Sequence, residues 1–182
     1  LKEMEAVMND NRSSIGLYVG RFQPLTKGHM GVLQQMTKEN KLSYILLVKG
    51  PVSSLDKKKN PFPAELQIEM INAVIDKNFK GKIKLLVVPS ADIYKITKEH
   101  IPGKKFVMYC GPDREQQYKN FIRYFEADGM SLEINTADGK RTPGISGTDA
   151  RQALINNDID RFKKICPEAI WPFFDRLKEQ LK

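Results

Sequence analysis

The sequence predicts an α/β protein: a doubly wound parallel sheet with helices on both faces and a helical C-terminal part. Three observations carry this. Short apolar runs recur, "IGLYVG", "YILLVKG", "KLLVVP" and "KFVMYCG". Between them lie stretches with helical spacing, "GHMGVLQQMTKE", "AELQIEMINAVID" and "REQQYKNFIRYFE". From about Gly147 onward only helical pattern remains, in "GTDARQALINN", "IDRFKKIC" and "AIWPFFDRLKEQLK".

The four apolar runs are rich in β-branched or aromatic residues and end near Gly or Pro, the pattern of strands buried on both faces. A weaker strand, "SLEIN", follows the third helical stretch. Strands that alternate with helices imply βαβ units, hence a Rossmann-like parallel sheet. Such a sheet binds ligands beyond the carboxyl ends of its strands, where the strand order reverses. No internal repeat or low-complexity segment interrupts the pattern.

Size and composition limit the function classes. A chain of 182 residues fits one domain and buries a core without disulfide staples. With 41% apolar and 29% charged residues it has the make-up of a soluble globular protein. No apolar stretch approaches a membrane span, and nothing at the start reads as a signal peptide. Cys110 and Cys166 are too few and too far apart for a disulfide framework or a zinc site, so a reducing, cytoplasmic setting is expected. The chain begins with Leu1 rather than Met, as a piece of a longer protein does. Residues 1–14 read as a polar lead-in or linker and 15–182 as the domain. The formal net charge of +8 suits an anionic partner. Phosphates of a small nucleotide rank ahead of nucleic acid, since no RNP, zinc-finger or KH signature is present. The lysines of "SSLDKKKNPFP" sit in a loop after a strand, where phosphate binds.

The chemistry concentrates in "GRFQPLTKGHM", at positions 20–30. Gly20 ends the first strand and lets the backbone turn close to a ligand. Pro24 stiffens the loop. Gly28 permits close approach just before a helix, and His29 lies on its first turn. Loop N–H groups and the helix N-terminus then face one cleft, a natural anion site. There His29 can donate to a phosphate oxygen, with the Thr26 hydroxyl beside it. A second stretch, "GISGTDAR", spans Gly144–Arg151. Ser146 with Asp149 three residues later forms a capping box. Thr148 adds a hydroxyl, and Arg151 projects from the first turn. Neither stretch is a Walker A loop or a GxGxxG fingerprint.

Together the two stretches resemble the signatures of the nucleotidyltransferase (HxGH/TxGH) superfamily. Gly20, Phe22, Pro24, Thr26, Gly28 and His29 match the first signature; Ile145, Ser146, Thr148 and Arg151 match its ISSTxxR element. Gly147 replaces the second serine of that element. "GRFQP", with Arg21 and Gln23, is most like nicotinamide-mononucleotide adenylyltransferases of the archaeal and bifunctional type. Those carry His at the position of Thr26, whereas Thr is typical of phosphopantetheine adenylyltransferases. "NPFPAELQIEMI" resembles a further segment of the nicotinamide-mononucleotide enzymes, but its Glu-Arg pair is lost at Leu66 and Gln67. The resemblance runs from Ile15 to Phe162.

The resemblance implies transfer of AMP from ATP to nicotinamide mononucleotide, with release of pyrophosphate. His29 and Thr26 contact the α- and β-phosphates. The loop Gly20, Arg21, Phe22, Gln23, together with Gly28, holds the triphosphate. Ile145, Ser146, Thr148 and Arg151 take the β,γ-phosphates, and Gly111 and Asp113 of "YCGPDREQQY" lie along the adenosine. Lys49, Phe62, Asp92, Ile93 and Tyr94 are the acceptor candidates, and one of Lys49, Lys57, Lys58 or Lys59 adds a movable charge. Mg²⁺ arrives with ATP, bound by phosphate oxygens and water rather than by a protein cage. Relatives are often homo-oligomers. Thr26 and the lost pair keep other acceptors open: phosphopantetheine, flavin mononucleotide or a CTP-dependent alcohol phosphate. A non-catalytic nucleotide-binding module is the remaining alternative.

Overall fold

A computed structural model of the chain describes residues 13–50, 57–136 and 144–182. Most of the expected lead-in, and part of the lysine-bearing loop, lie outside these residues. Five parallel strands form one sheet: β1 (Ile15–Gly20), β2 (Leu42–Val48), β3 (Ile83–Val88), β4 (Lys105–Tyr109) and β5 (Ser131–Asn135), in the order β3-β2-β1-β4-β5. The registers place Gly20 opposite Leu47, and Tyr18 opposite both Ile45 and Tyr109. The chain winds from β1 outward to β3, then returns to lay β4 on the other side of β1. The order therefore reverses between β1 and β4, and a crevice opens at their carboxyl ends.

The helices are α1 (Lys27–Glu39), α2 (Ala64–Asn78), α3 (Ile93–His100), α4 (Glu115–Lys119), α5 (Ile122–Ala127), α6 (Gly147–Ile155), α7 (Ile159–Ile165) and α8 (Phe174–Glu179). They cover both faces of the sheet. One core joins β1 and β2 side chains to α1, α2 and the C-terminal helices, with Leu33, Met36, Val74, Phe162 and Leu177 buried. The other packs α3, α4 and α5 on the opposite face, with Ile93, Tyr118 and Phe125 buried. The stripes follow helical spacing: Met30, Leu33 and Met36 on α1, and Leu66, Met70 and Val74 on α2.

Four readings change. β3 is an edge strand rather than one buried on both faces, and Val87 is 46% exposed. The stretch expected as one helix, "REQQYKNFIRYFE", is a 3₁₀ turn at Pro112–Arg114 followed by α4 and α5. The break falls at Phe121, whose N–H bonds to the Tyr118 carbonyl at 3.0 Å in 3₁₀ fashion. "AIWPFFDRLKEQLK" likewise begins as a 3₁₀ segment, Glu168–Phe173, because Pro172 has no N–H to continue an α-helix. α3 was not anticipated at all. Its signal was there: Asp92 caps it by accepting from the Lys95 N–H at 3.1 Å, and Ile93 and Ile96 face inward.

Candidate active site

At the β1/β4 reversal lies a cleft of about 500 Å³, within the range of small-ligand sites. Gly20, Arg21, Phe22, Gln23 and His29 line it from one side, Gly111, Asp113 and Arg114 from another, and Ser146, Thr148 and Arg151 from a third. The two signature stretches, more than a hundred residues apart in sequence, thus meet in one cleft.

His29 is held by its surroundings. Thr26 is the N-cap of α1, and its backbone N–H donates to His29 Nδ1 at 2.9 Å. A nitrogen that accepts an N–H carries no proton, so the ring proton sits on Nε2 and the imidazole is a neutral donor on that edge. The ring is wedged against Phe22, with centroids 4.9 Å apart, and near Tyr18 at 6.2 Å. Position and tautomer are both fixed by the protein's own contacts. Thr26 is 2% exposed and does not line the cleft. Its hydroxyl stands 3.2 Å from His29 Nδ1. Thr26 thus holds the Nδ1 edge of the histidine.

The α6 start is a full capping box. The Ser146 hydroxyl donates to Asp149 Oδ2 at 2.6 Å and accepts the Asp149 N–H at 3.1 Å. The Ser146 N–H donates to the same carboxylate at 3.0 Å. The Ser146 proton is thus committed within the cap, so the helix offers an anion its first-turn N–H groups instead. These Ser146 bonds, hydroxyl first, and the Arg161 cation hold the Asp149 carboxyl below its ordinary pKa. Arg151 donates from Nη1 to the Gln23 carbonyl at 2.6 Å and from Nη2 to the Thr148 hydroxyl at 3.3 Å. Burial, then the nearby Arg21 cation, lowers its pKa, yet a guanidinium keeps its proton in proteins. Two cations sharing one cleft create a site for a polyanion. A Cβ on Gly147 would lie 3.2 Å from Arg151 Nη1 and 3.3 Å from the Gln23 carbonyl oxygen. A side chain at this position would therefore press on both groups.

The acceptor candidates separate. Lys49 is half-buried and donates to the Phe62 carbonyl at 2.8 Å, with its pKa lowered by burial. It braces a loop and lines neither cavity. Phe62 and Ile93 are core residues, 1% and 0% exposed. Ile145 packs against the core, and neither it nor Gly28 lines the cleft. A larger and more open cavity, about 1100 Å³, adjoins the cleft through Ala91. Asp92 lines it with Phe121 and Tyr124, and Tyr94 stacks on Tyr124 at 5.6 Å without lining it. Of the basic loop, Lys59 reaches the cleft. Sequence reasoning missed Tyr18, Arg114 and Tyr118 as lining residues. It also passed over Gln67, whose amide holds the Arg21 and Phe22 carbonyls. Among the described residues no helix is long and apolar enough to cross a membrane.

The fold and the paired signatures define the class. The profile of the cytidylyltransferase-like family matches residues 17–153, and the chain belongs to that family of nucleotidyltransferases. Among curated proteins it is similar to the nicotinamide-nucleotide adenylyltransferase of Thermococcus sibiricus, 28% identical over 90% of this chain and 84% of the relative. That of Saccharolobus solfataricus is 23% identical over 91% and 92%. Among solved structures, the nicotinic acid mononucleotide adenylyltransferase of Plasmodium falciparum shares the fold with a TM-score of 0.65, at 20% identity over 94% of this chain and 100% of that one. A bifunctional NMN adenylyltransferase/ADP ribose pyrophosphatase from Francisella tularensis also gives a TM-score of 0.65, at 16% identity over 92% of this chain. This chain spans 50% of that protein's length.

Proposed function

We propose that the protein transfers AMP from ATP to nicotinamide mononucleotide, giving NAD and pyrophosphate. One observation carries the reading: the Nε2–H tautomer of His29, Arg151 and the α6 N-terminus all serve one cleft at the strand-order reversal. A phosphate oxygen of the acceptor attacks the α-phosphorus of ATP, and the bond to the bridging oxygen of the β-phosphate breaks. Charge grows on that bridging oxygen and on the leaving pyrophosphate. His29 Nε2–H donates to it, Arg151 and Arg21 neutralise it, and the first-turn N–H groups of α6 bind the terminal phosphates. Neither proton transfer nor a protein nucleophile is required. Mg²⁺ enters with ATP; Asp113 is the one carboxylate among the cleft's described lining residues, which suits an ion held mainly by phosphate oxygens and water. The larger adjoining cavity, with Asp92 and its aromatic wall, suits the nicotinamide ring. The amide form of the acceptor is favoured over the acid because the archaeal relatives are named for the amide.

The test is pyrophosphate release with Mg-ATP against nicotinamide mononucleotide, nicotinate mononucleotide, phosphopantetheine and flavin mononucleotide. Release with the first, lost in His29→Ala, is expected. A higher kcat/KM with another acceptor overturns the substrate assignment. Silence with all four, in a protein that still binds ATP, overturns the reaction.

A further inference from the structure

We propose that Gln67, on the buried face of α2, is the positioning residue of the phosphate-binding loop. Its amide fixes the Gly20–Gln23 backbone in the form that binds anions. The inference rests on the nucleotide-site reading above. It starts from a residue with no reason to be polar on packing grounds: Gln67 is 0% exposed. Nε2 donates to the Arg21 carbonyl and, at 2.8 Å, to the Phe22 carbonyl, so both amide hydrogens are used. Oε1 has no hydrogen-bond partner. An apolar side chain of the same volume would avoid that orphaned acceptor, so the donors are what the site keeps.

What the donors hold is a backbone that does not hold itself. Phe22 is a non-glycine residue at φ 46°, in the left-handed region that a Cβ disfavours. Such a conformation persists only where neighbours impose it. Here the carbonyls of three successive residues are each taken by a side-chain donor. Gln67 takes those of Arg21 and Phe22, and Arg151 takes that of Gln23 at 2.6 Å. The Gln23 amide adds a clamp, with Oε1 accepting the Phe62 N–H at 2.9 Å and Nε2 donating to the Phe62 carbonyl at 3.4 Å. With its carbonyls occupied, the loop presents its N–H side to the cleft its residues line, and a left-handed residue in such a turn gathers N–H groups into an anion-binding concavity. The signature residues Arg151 and Gln23 hold only the Gln23 end of the loop, and the Arg21 and Phe22 carbonyls are held from outside the signatures, by Gln67. Gln67 stands where the resembling segment has arginine, and it supplies the donors without a charge.

The test is binding of inorganic pyrophosphate and of adenosine to the full chain by calorimetry, in wild type and Gln67→Met. Methionine keeps the volume and removes the donors. The expected result is pyrophosphate affinity weakened about tenfold or more with adenosine affinity within about twofold, since the loop contacts phosphate and not base. Equal loss of both ligands marks a merely structural residue and overturns the proposal, as does unchanged pyrophosphate affinity. A wild type that does not bind pyrophosphate at all overturns the nucleotide-site reading beneath it, and this inference with it. Gln67→Leu, which likewise removes the donors and adds no charge, decides the matter by the same comparison if the methionine variant does not fold.

Discussion

α1 and α6 both begin with a side chain at the third helical position reaching back to the capping residue: His29 to Thr26, and Asp149 to Ser146. In each, the backbone N–H of the cap donates to that side chain, at 2.9 Å and 3.0 Å. The difference lies in what remains. Imidazole has a second nitrogen, so with Nδ1 on the cap the other ring edge carries the N–H, and His29 lines the cleft. The Asp149 carboxylate is consumed, one oxygen by Ser146 and the other paired with Arg161 at 3.4 Å. One device therefore sets the tautomer of a ring in the cleft wall, and the other sets a rigid helix start. The same local geometry serves different ends according to whether the capping side chain carries a second polar edge.

The largest expected effect comes from giving α1 a cap that lacks the imidazole Nε2–H. In His29→Asn the amide oxygen can still accept the Thr26 N–H, while the Nε2–H is lost. We expect kcat to fall about 100-fold or more, as for removal of one transition-state donor, with thermal stability nearly unchanged. A variant with near-normal turnover would remove His29 from the reaction. Arg151→Lys comes next. It keeps the charge but loses the fork that bonds Gln23 and Thr148 together, so kcat/KM for ATP should drop about tenfold while the acceptor KM holds. An equal change in both KM values would mean that Arg151 acts through general packing.

The two stretches were legible because their chemistry is local. A glycine, a proline and a histidine at fixed spacing, or Ser146 with Asp149, announce a turn and a cap without any knowledge of the rest of the chain. Long-range partners were not legible. Gln67 reads as an ordinary polar helix residue until α2 is docked against the Arg21 carbonyl, 46 residues away in sequence. Thr26 reads as a phosphate ligand, and the sequence does not show that its hydroxyl is buried beside His29. Lys49, a plausible loose cation after β2, is fixed to Phe62. The sheet was foreseen except at its edge, because apolar runs do not reveal which strand lacks a neighbour. α3 was overlooked because its stripe is short and its start, Asp92, falls just after a Pro and a Ser that read as loop.

A smaller effect separates the structural cap by pH. The Asp149 carboxyl is held below its ordinary pKa by the Ser146 hydroxyl first, then by the Ser146 N–H and Arg161. A folded-state pKa below the unfolded one gives stabilisation that is full above the unfolded value, about 3.9, and is lost as pH falls through the folded one. Asp149→Asn should cost about 1 kcal/mol near neutrality, in the manner of a lost cap. The gap from wild type should then close in acid, as melting measured from pH 7 down to pH 2 would reveal. A gap constant over that range would mean that the carboxylate charge contributes nothing. Turnover per folded molecule should stay near wild type, since Asp149 does not line the cleft.

The smallest effect concerns Gly147, where the family signature carries serine. A Cβ would stand 3.2 Å from Arg151 Nη1 and 3.3 Å from the Gln23 carbonyl oxygen, tighter than relaxed contact but not a severe clash. The Arg151 fork can yield only by loosening its 2.6 Å bond to that carbonyl, and Gln23 can yield little because its own amide is clamped to Phe62. Gly147→Ser should therefore raise KM for ATP about two- to threefold through Arg151, despite adding a hydroxyl at the phosphate end of the cleft. Serine is also the better helix residue, so the melting temperature should hold or rise slightly. Tighter ATP binding in this variant would show that the added donor outweighs the packing. Glycine would then not be explained by the close approach of α6 to the loop.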